Sequence, residues 1–329
     1  MDALGLDIGG ANLKAAHSGG GARVQPFALW KNPAGLPGAL RPLLQGWAPF
    51  GRVAVTMTGE LCDCFEGKRQ GVGAILDAVA AAAGAVPVRV WRNDGRFVDL
   101  ATARATALQV AAANWLALAI YAGRHAPAGP ALVLDIGSTT TDIVPLQGGK
   151  PVPRGRTDPE RLDCQELVYT GVRRTPVCAL LGTGGAAELF ATTLDVFLVL
   201  GAVPEDLTDT DTADGRPATR AAAHARLARV LCADLETSTE DQRRKLAERV
   251  LLKLVYALGF AVKHVAGQLP GQPQTVVIAG SGEFLAELVL REQKASPPCR
   301  VVSLARTLGP AVSQAACAYA VATLAAEER

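Results

Sequence analysis

Two aspartates, Asp7 and Asp135, each close a short apolar run, and each is followed by Ile-Gly. The segment Leu4-Gly-Leu-Asp-Ile-Gly-Gly-Ala-Asn-Leu-Lys14 aligns with Leu132-Val-Leu-Asp-Ile-Gly-Ser-Thr-Thr-Thr-Asp142 without a gap. A phosphate gripped away from water needs backbone N–H donors at short range, and small residues permit that approach. Gly9, Gly10 and Gly137 supply it. Asn12 and the hydroxyls of Ser138, Thr139 and Thr140 add donors, and Lys14 can neutralise phosphate charge. Mg2+ takes oxygen ligands and keeps several waters. Asp7 and Asp135 are therefore both the metal candidates and the first catalytic candidates. A third glycine turn, Gly280-Ser281-Gly282, follows a third apolar run and opens a helix, where an anionic or nucleotide group can meet backbone amides. A single Asp-Ile-Gly is most often just a strand entering a turn. Two matched copies and a third loop favour phosphate chemistry.

These residues need strands that deliver them and turns that present them. Residues 3–8 read as a strand, returning over 13–16 as a hairpin; residues 131–136 and 143–146 repeat the pattern. The apolar run of 131–136, broken by Asp135 alone, predicts a strand buried on both faces. Further strands are expected over 53–58, 88–91 and 275–279. Helices are expected over 75–83, 101–122, 185–200, 218–232, 239–266, from Glu283, and over 307–326. Ser238 and Asp241 have the spacing of a capping box for the helix over 239–266. The polar stretch 152–174 reads as functional loops. Duplicated strand–turn–strand units predict two related lobes, residues 1–127 and 128–306, with a terminal helix at 307–329 completing the first.

The bulk properties exclude several classes. The chain has 329 residues, 49% of them hydrophobic, with a formal net charge of +2 and no polybasic arm, so nucleic acid is not an expected partner. Met-Asp entering a strand at once gives no sign of a signal peptide, and no run reads as a membrane span. Seven cysteines without framework spacing imply reduced thiols and a cytoplasmic setting. Cys62 and Cys64 lack the partners of a zinc site. Asp209, Asp211 and Asp214 read as a solvated acidic loop, Asn114-Trp115 as core, and Tyr169 as packing. The oligomeric state is left open.

In this order, the three glycine-turn motifs resemble the phosphate-1, phosphate-2 and adenosine motifs of the superfamily of sugar kinases, Hsp70 and actin. Segments such as Thr56-Met-Thr-Gly-Glu-Leu61, Glu166-Leu-Val-Tyr-Thr-Gly171 and Arg226-Leu-Ala-Arg-Val-Leu-Cys-Ala-Asp234 narrow the resemblance. They point to the hydantoinase A/oxoprolinase branch and, within it, to ether-forming enzymes of tetrahydromethanopterin- and methanofuran-type cofactor biosynthesis. The resemblance implies an α/β, duplicated ribonuclease H-like (actin-like ATPase) fold, two-lobed with an inter-lobe cleft. It implies a Mg2+-dependent transferase acting on a small phosphorylated substrate: an aminomethylfuran-methyl diphosphate is joined to the phenol of γ-glutamyltyramine and diphosphate leaves. Glu60 is then the first candidate to activate the phenol or bind the furan's ammonium, and Asp94 the second. Arg173 and Arg174 suit the glutamyl carboxylate or the diphosphate, with Thr58 and Thr170 as further substrate contacts. ATP-dependent kinase or amide-opening chemistry in the same cleft is the alternative, with adenine near Gly280–Glu283, and a non-catalytic nucleotide sensor is the third reading. The residues admit ATP without requiring it.

Overall fold

The structure, a computed structural model, describes residues 1–293 and 299–328; residues 294–298 of the expected second lobe and Arg329 of the expected terminal helix lie outside the described residues. Six strands form the first sheet: β1 (Ala3–Ile8), β2 (Asn12–His17), β3 (Ala22–Pro26), β4 (Arg52–Met57), β5 (Val88–Trp91) and β6 (Phe97–Val98). The second contains β7 (Pro130–Ile136), β8 (Thr141–Gln147), β9 (Lys150–Pro151), β10 (Leu167–Val168), β11 (Thr275–Ala279) and β12 (Arg300–Ser303). The first sheet runs β3-β2-β1-β4-β5-β6; the second runs β10-β8-β7-β11-β12, with β9 on β8. In each, an antiparallel hairpin (β1–β2, β7–β8) is followed by parallel strands at its first member's other edge (β4, β11). This is the expected duplicated, ribonuclease H-like α/β architecture.

Side chains alternate across a strand, and here the alternation sorts most of them into three large cores, with Ala16 in a small fourth cluster beside Ala315 and Ala318. Leu6, Ile8, Leu13 and Ala15 join an outer core with Val55, Met57 and the helix Lys68–Ala83. Leu132, Leu134, Ile136 and Ile143 join the opposite outer core beneath the helices Thr193–Leu200, Arg220–Val230 and Glu240–Ala266. The inner faces, among them Ala3 and Ala54 of one sheet and Ala131, Val133, Val144 and Val277 of the other, share a central core with two helices, Asn114–Ala122 and Ala316–Glu327. Alanines at these inner positions let helix backbones approach both sheets.

Several expected elements differ. The helix expected over 101–122 is three pieces, Leu100–Ala105, Ala107–Val110 and Asn114–Ala122, interrupted where Ala112 takes a positive φ of 47°. The helix expected over 185–200 begins only at Thr193, since Gly182, Gly184 and Gly185 interrupt the chain before it. The capping box of the long helix is Thr239 with Gln242, one residue beyond the expected pair. The helix expected over 307–326 is also divided, at Gly309 and Ala315. Among the described residues no helix is long and apolar enough to cross a membrane.

Candidate active site

The two-residue period of β-strands brings the chemistry together. Asp7 lies four residues from Ala3 and Asp135 four from Ala131, so both aspartates share the inner faces of their sheets with those alanines. Lys14 alternates with Leu13 and Ala15 of the first outer core, and Asp142 precedes Ile143 of the second, so both turn inward as well. Strand register completes the duplication. Asp7 pairs across its ladder with Lys14 and Asp135 with Asp142. The turns match: Gly9 N–H donates to Asn12 O at 3.0 Å and Gly137 N–H to Thr140 O at 2.9 Å. Both turns open on one cavity of about 430 Å³.

Asp7, Gly9, Gly10, Asn12, Lys14, Thr58, Glu60, Asp135, Gly137, Ser138, Thr139, Thr140 and Arg174 all border that cavity. The remaining sequence-derived residues do not. Asp94 lies in the turn after β5 and pairs with Arg92 at 2.8 Å. Thr170 is buried behind the second hairpin, its carbonyl accepting from Thr141 Oγ1 at 2.7 Å. Arg173 turns away to Asp209 at 2.6 Å. The Gly280-Ser281-Gly282 loop braces the hairpin from behind: Gly282 N–H donates to Ile136 O at 2.8 Å, and Gly280 N–H to Ser313. Gly280 holds a φ of +89°, and a Cβ there would strike Ile136 O and the Asp135 carboxylate, so the glycine serves close packing.

Six carboxyl groups border the cavity (Asp7, Glu60, Asp63, Asp135, Asp142 and Asp158) against three cations, Lys14, Arg161 and Arg174. Lys14 Nζ lies 3.7 Å from Asp7 Oδ2. Burial would lower the Lys14 pKa, but the carboxylates of Asp7 and Asp135 outweigh it and keep the ammonium charged. Burial raises Asp7, with Lys14 opposing. Burial, reinforced by Asp142, pushes Asp135 up to about 7. Glu60, 1% exposed at the end of β4, is likewise raised by burial to about 7. Arg161 is buried with Asp142 Oδ1 at 2.7 Å and the Trp115 ring at 4.1 Å.

Buried polar atoms are ordinarily satisfied. Asp7 Oδ1, Glu60 Oε2, Trp115 Nε1 and Arg161 Nε have no protein partner, and all four residues border this cavity. No group of three His, Cys, Asp or Glu among the described residues is arranged to hold a metal unaided. The inward carboxylates of Asp7 and Asp135, one from each sheet, would fit Mg2+, which commonly takes one or two carboxylates and completes its shell with water and substrate phosphate.

Sequence reasoning missed several residues bordering the cavity. Asp142 carried a signal: it stands seven residues beyond Asp135 as Lys14 does beyond Asp7, at the end of the repeat alignment. Trp115 is core by burial at 2% exposed, yet it also borders the cavity, and Tyr169 is 68% exposed rather than packed. Asp209, Asp211 and Asp214 are not a free solvated loop, since they pair with Arg173, Arg174, Arg216 and buried Arg226. Asp158 and Arg161 carried a signal too, since Thr157-Asp158 and Arg161-Leu162 belong to the segments that resemble the family, but no role was assigned to them; Trp30, Asp63 and Cys317 carried no distinguishing local pattern.

Residues 52–328 match the family model described as hydantoinase/oxoprolinase. The chain is 34% identical to the (4-{4-[2-(γ-L-glutamylamino)ethyl]phenoxymethyl}furan-2-yl)methanamine synthase of Methanocaldococcus jannaschii, over 98% of this chain and 96% of that protein. It is 33% identical to the synthase of the same name from Methanococcus vannielii, over 60% of this chain and 91% of that one. Among solved structures, the PilM-PilN type IV pilus biogenesis complex shares the fold at a TM-score of 0.51 and 15% identity, with 98% of this chain and 99% of that one covered.

Proposed function

Because the chain belongs to the hydantoinase/oxoprolinase family, we propose that its cleft joins an aminomethylfuran-methyl diphosphate to the phenol of γ-glutamyltyramine, forming an aryl ether and releasing diphosphate. The observation that carries this reading is the meeting of both glycine turns with Glu60 in one cavity, a polyanion cradle beside a carboxyl group near neutrality. End-to-end similarity to the M. jannaschii synthase supports the choice of substrates, because the product in that name holds a furan-methyl carbon on a phenol oxygen.

In this mechanism the Gly10 amide and the hydroxyls of Ser138, Thr139 and Thr140 bind the diphosphate, Gly9 and Gly137 shape the turns through their own N–H bonds to Asn12 O and Thr140 O, and Lys14 balances the charge. A bound Mg2+ would neutralise charge developing on the leaving diphosphate, and Asp7 and Asp135 are the residues that would hold it. The furan-methyl C–O bond to diphosphate breaks with its electron pair going to the leaving group, and the phenol oxygen bonds to that carbon. Glu60 takes the phenol proton. The phenol's ordinary pKa is about 10, so a base near 7 whose remaining oxygen is buried and unpartnered suits a proton that becomes acidic only as the new bond forms.

Purified protein given Mg2+ and both substrates should release one diphosphate per ether formed; no release overturns the proposal. Asp7→Asn and Asp135→Asn should each lower turnover by about two or more orders of magnitude while circular dichroism stays native. Near-normal rates would remove both from the metal site. An ATP hydrolysis assay run alongside tests the kinase or amidohydrolase alternative, which ATP turnover without furan diphosphate would favour.

A further inference from the structure

The outer end of the cavity is built from residues that the hairpins and Glu60 leave unused. Arg174 borders the cavity with its guanidinium 4.5 Å over the Trp30 ring. Its neighbour Arg173 is committed elsewhere, held by both carboxylate oxygens of Asp209 and by the Asp211 carbonyl at 2.9 Å. Among the described residues the ion-pair partner of Arg174 is Asp211, at 3.5 Å and without a hydrogen bond. The cation–π contact thus holds the guanidinium in place while most of its N–H groups stay available. Trp30 comes from the first half of the chain and Arg174 from the second, so the pair spans the cleft. Asp63, exposed, borders the same cavity three residues beyond Glu60. Cys62 lies between: burial pushes its thiol up to about 11, with Glu60 and Asp63 adding to the rise and Arg174 opposing it, so all three are within electrostatic reach.

The geometry points to a zwitterion subsite at this mouth, where Arg174 stacked on Trp30 takes the carboxylate, and Asp63 the ammonium, of an α-amino acid end carried by the acceptor. This rests on the acceptor proposed above: a γ-glutamyl amide leaves the α-carboxylate and α-ammonium of its glutamate free. The phenol then lies inward toward Glu60 and the amino acid end outward toward Trp30. A planar fork over an aromatic face distinguishes a carboxylate from the ammonium that ends a shorter phenol such as tyramine. Asp63 contributes less because it is exposed.

Calorimetry with γ-glutamyltyramine and with tyramine, which lacks the glutamyl group, tests the assignment. Wild-type protein should prefer γ-glutamyltyramine by about tenfold to a hundredfold, the range of one or two charge-assisted hydrogen bonds. Arg174→Ala should collapse that preference toward one. Arg174→Lys, which keeps charge but loses the planar stack, should retain part of it, and Asp63→Asn should weaken γ-glutamyltyramine by a few-fold. Thermal melts separate these effects from misfolding. Preserved discrimination in folded Arg174→Ala overturns the subsite. Diphosphate release with both phenols but no preference in wild type also overturns it, and leaves the reaction standing. Preference without diphosphate release supports the subsite and overturns the reaction. Binding of neither phenol overturns both.

Discussion

At the scale of single residues, the cavity holds two buried carboxyls raised to about 7, Glu60 and Asp135, beside others paired directly with cations. Glu60 lacks a close cation, whereas Asp7 has Lys14 and Asp142 has Arg161. A general base works only when ionised, so turnover should rise with pH through about 7 and level off above it. Glu60→Gln should remove the part of that rise that Asp135, titrating in the same range, does not contribute, and lower kcat by about 10²- to 10⁴-fold, while calorimetry still detects the furan diphosphate; an unchanged pH profile would assign the proton to another group. The same carboxyl affects stability. Its pKa is higher in the folded chain (about 7) than its ordinary 4.5, so the folded state binds the extra proton between those values. Stability contributed by that proton is present below pH 4.5 and lost as pH rises toward 7. Melts of Glu60→Gln against wild type should diverge across this window in favour of the variant at its upper end.

At the scale of elements, each hairpin works because its strands are buried on both faces and its turn is not. The third glycine loop has a packing task through Gly280 and Gly282. Its amides serve Ile136 O and Ser313, and Glu283 just beyond accepts from Ser303, Ser313 and the Ala305 amide. The loop positions β7 and, through it, Asp135. A Cβ at Gly282 would come within 2.5 Å of Ile136 Cγ2 and 2.7 Å of Val172 Cγ1. Gly282→Ala should therefore cost about 1–3 kcal/mol of stability and weaken diphosphate binding through the displaced turn. A variant with wild-type melting temperature and affinity would refute the bracing role.

At the scale of the whole molecule, the two sheets share a central core, and polar contacts bridge the cleft outside it. Lys68, on the helix after β4, pairs with Asp158 at 3.3 Å; Arg156 donates to Asn93 O at 3.3 Å; Arg174 stacks on Trp30. Reactions through an electron-poor carbon compete with hydrolysis unless water is excluded. Lys68→Ala should raise the share of furan-methyl alcohol over ether by a few-fold, in keeping with the modest worth of a partly exposed ion pair. An unchanged product ratio would show that this bridge does not control water entry.

Local order alone made much of this protein legible. Apolar runs ending in Asp-Ile-Gly marked both hairpins, because strand burial and tight turns leave period-two and glycine signatures in the chain, and the repeat itself announced the duplication. The inward set Asp7, Lys14 and Asp135 follows from alternation along those strands. Tertiary packing decided the rest. Local sequence does not show whether an arginine meets an aspartate 36 residues away, as Arg173 meets Asp209, or a tryptophan from the opposite half, as Arg174 meets Trp30. It also does not show that Ala112 would break a helix, or that a glycine loop at residue 280 would spend its amides on residues 136 and 313. Those outcomes depend on which surfaces compete for the same space once the two sheets close on their common core.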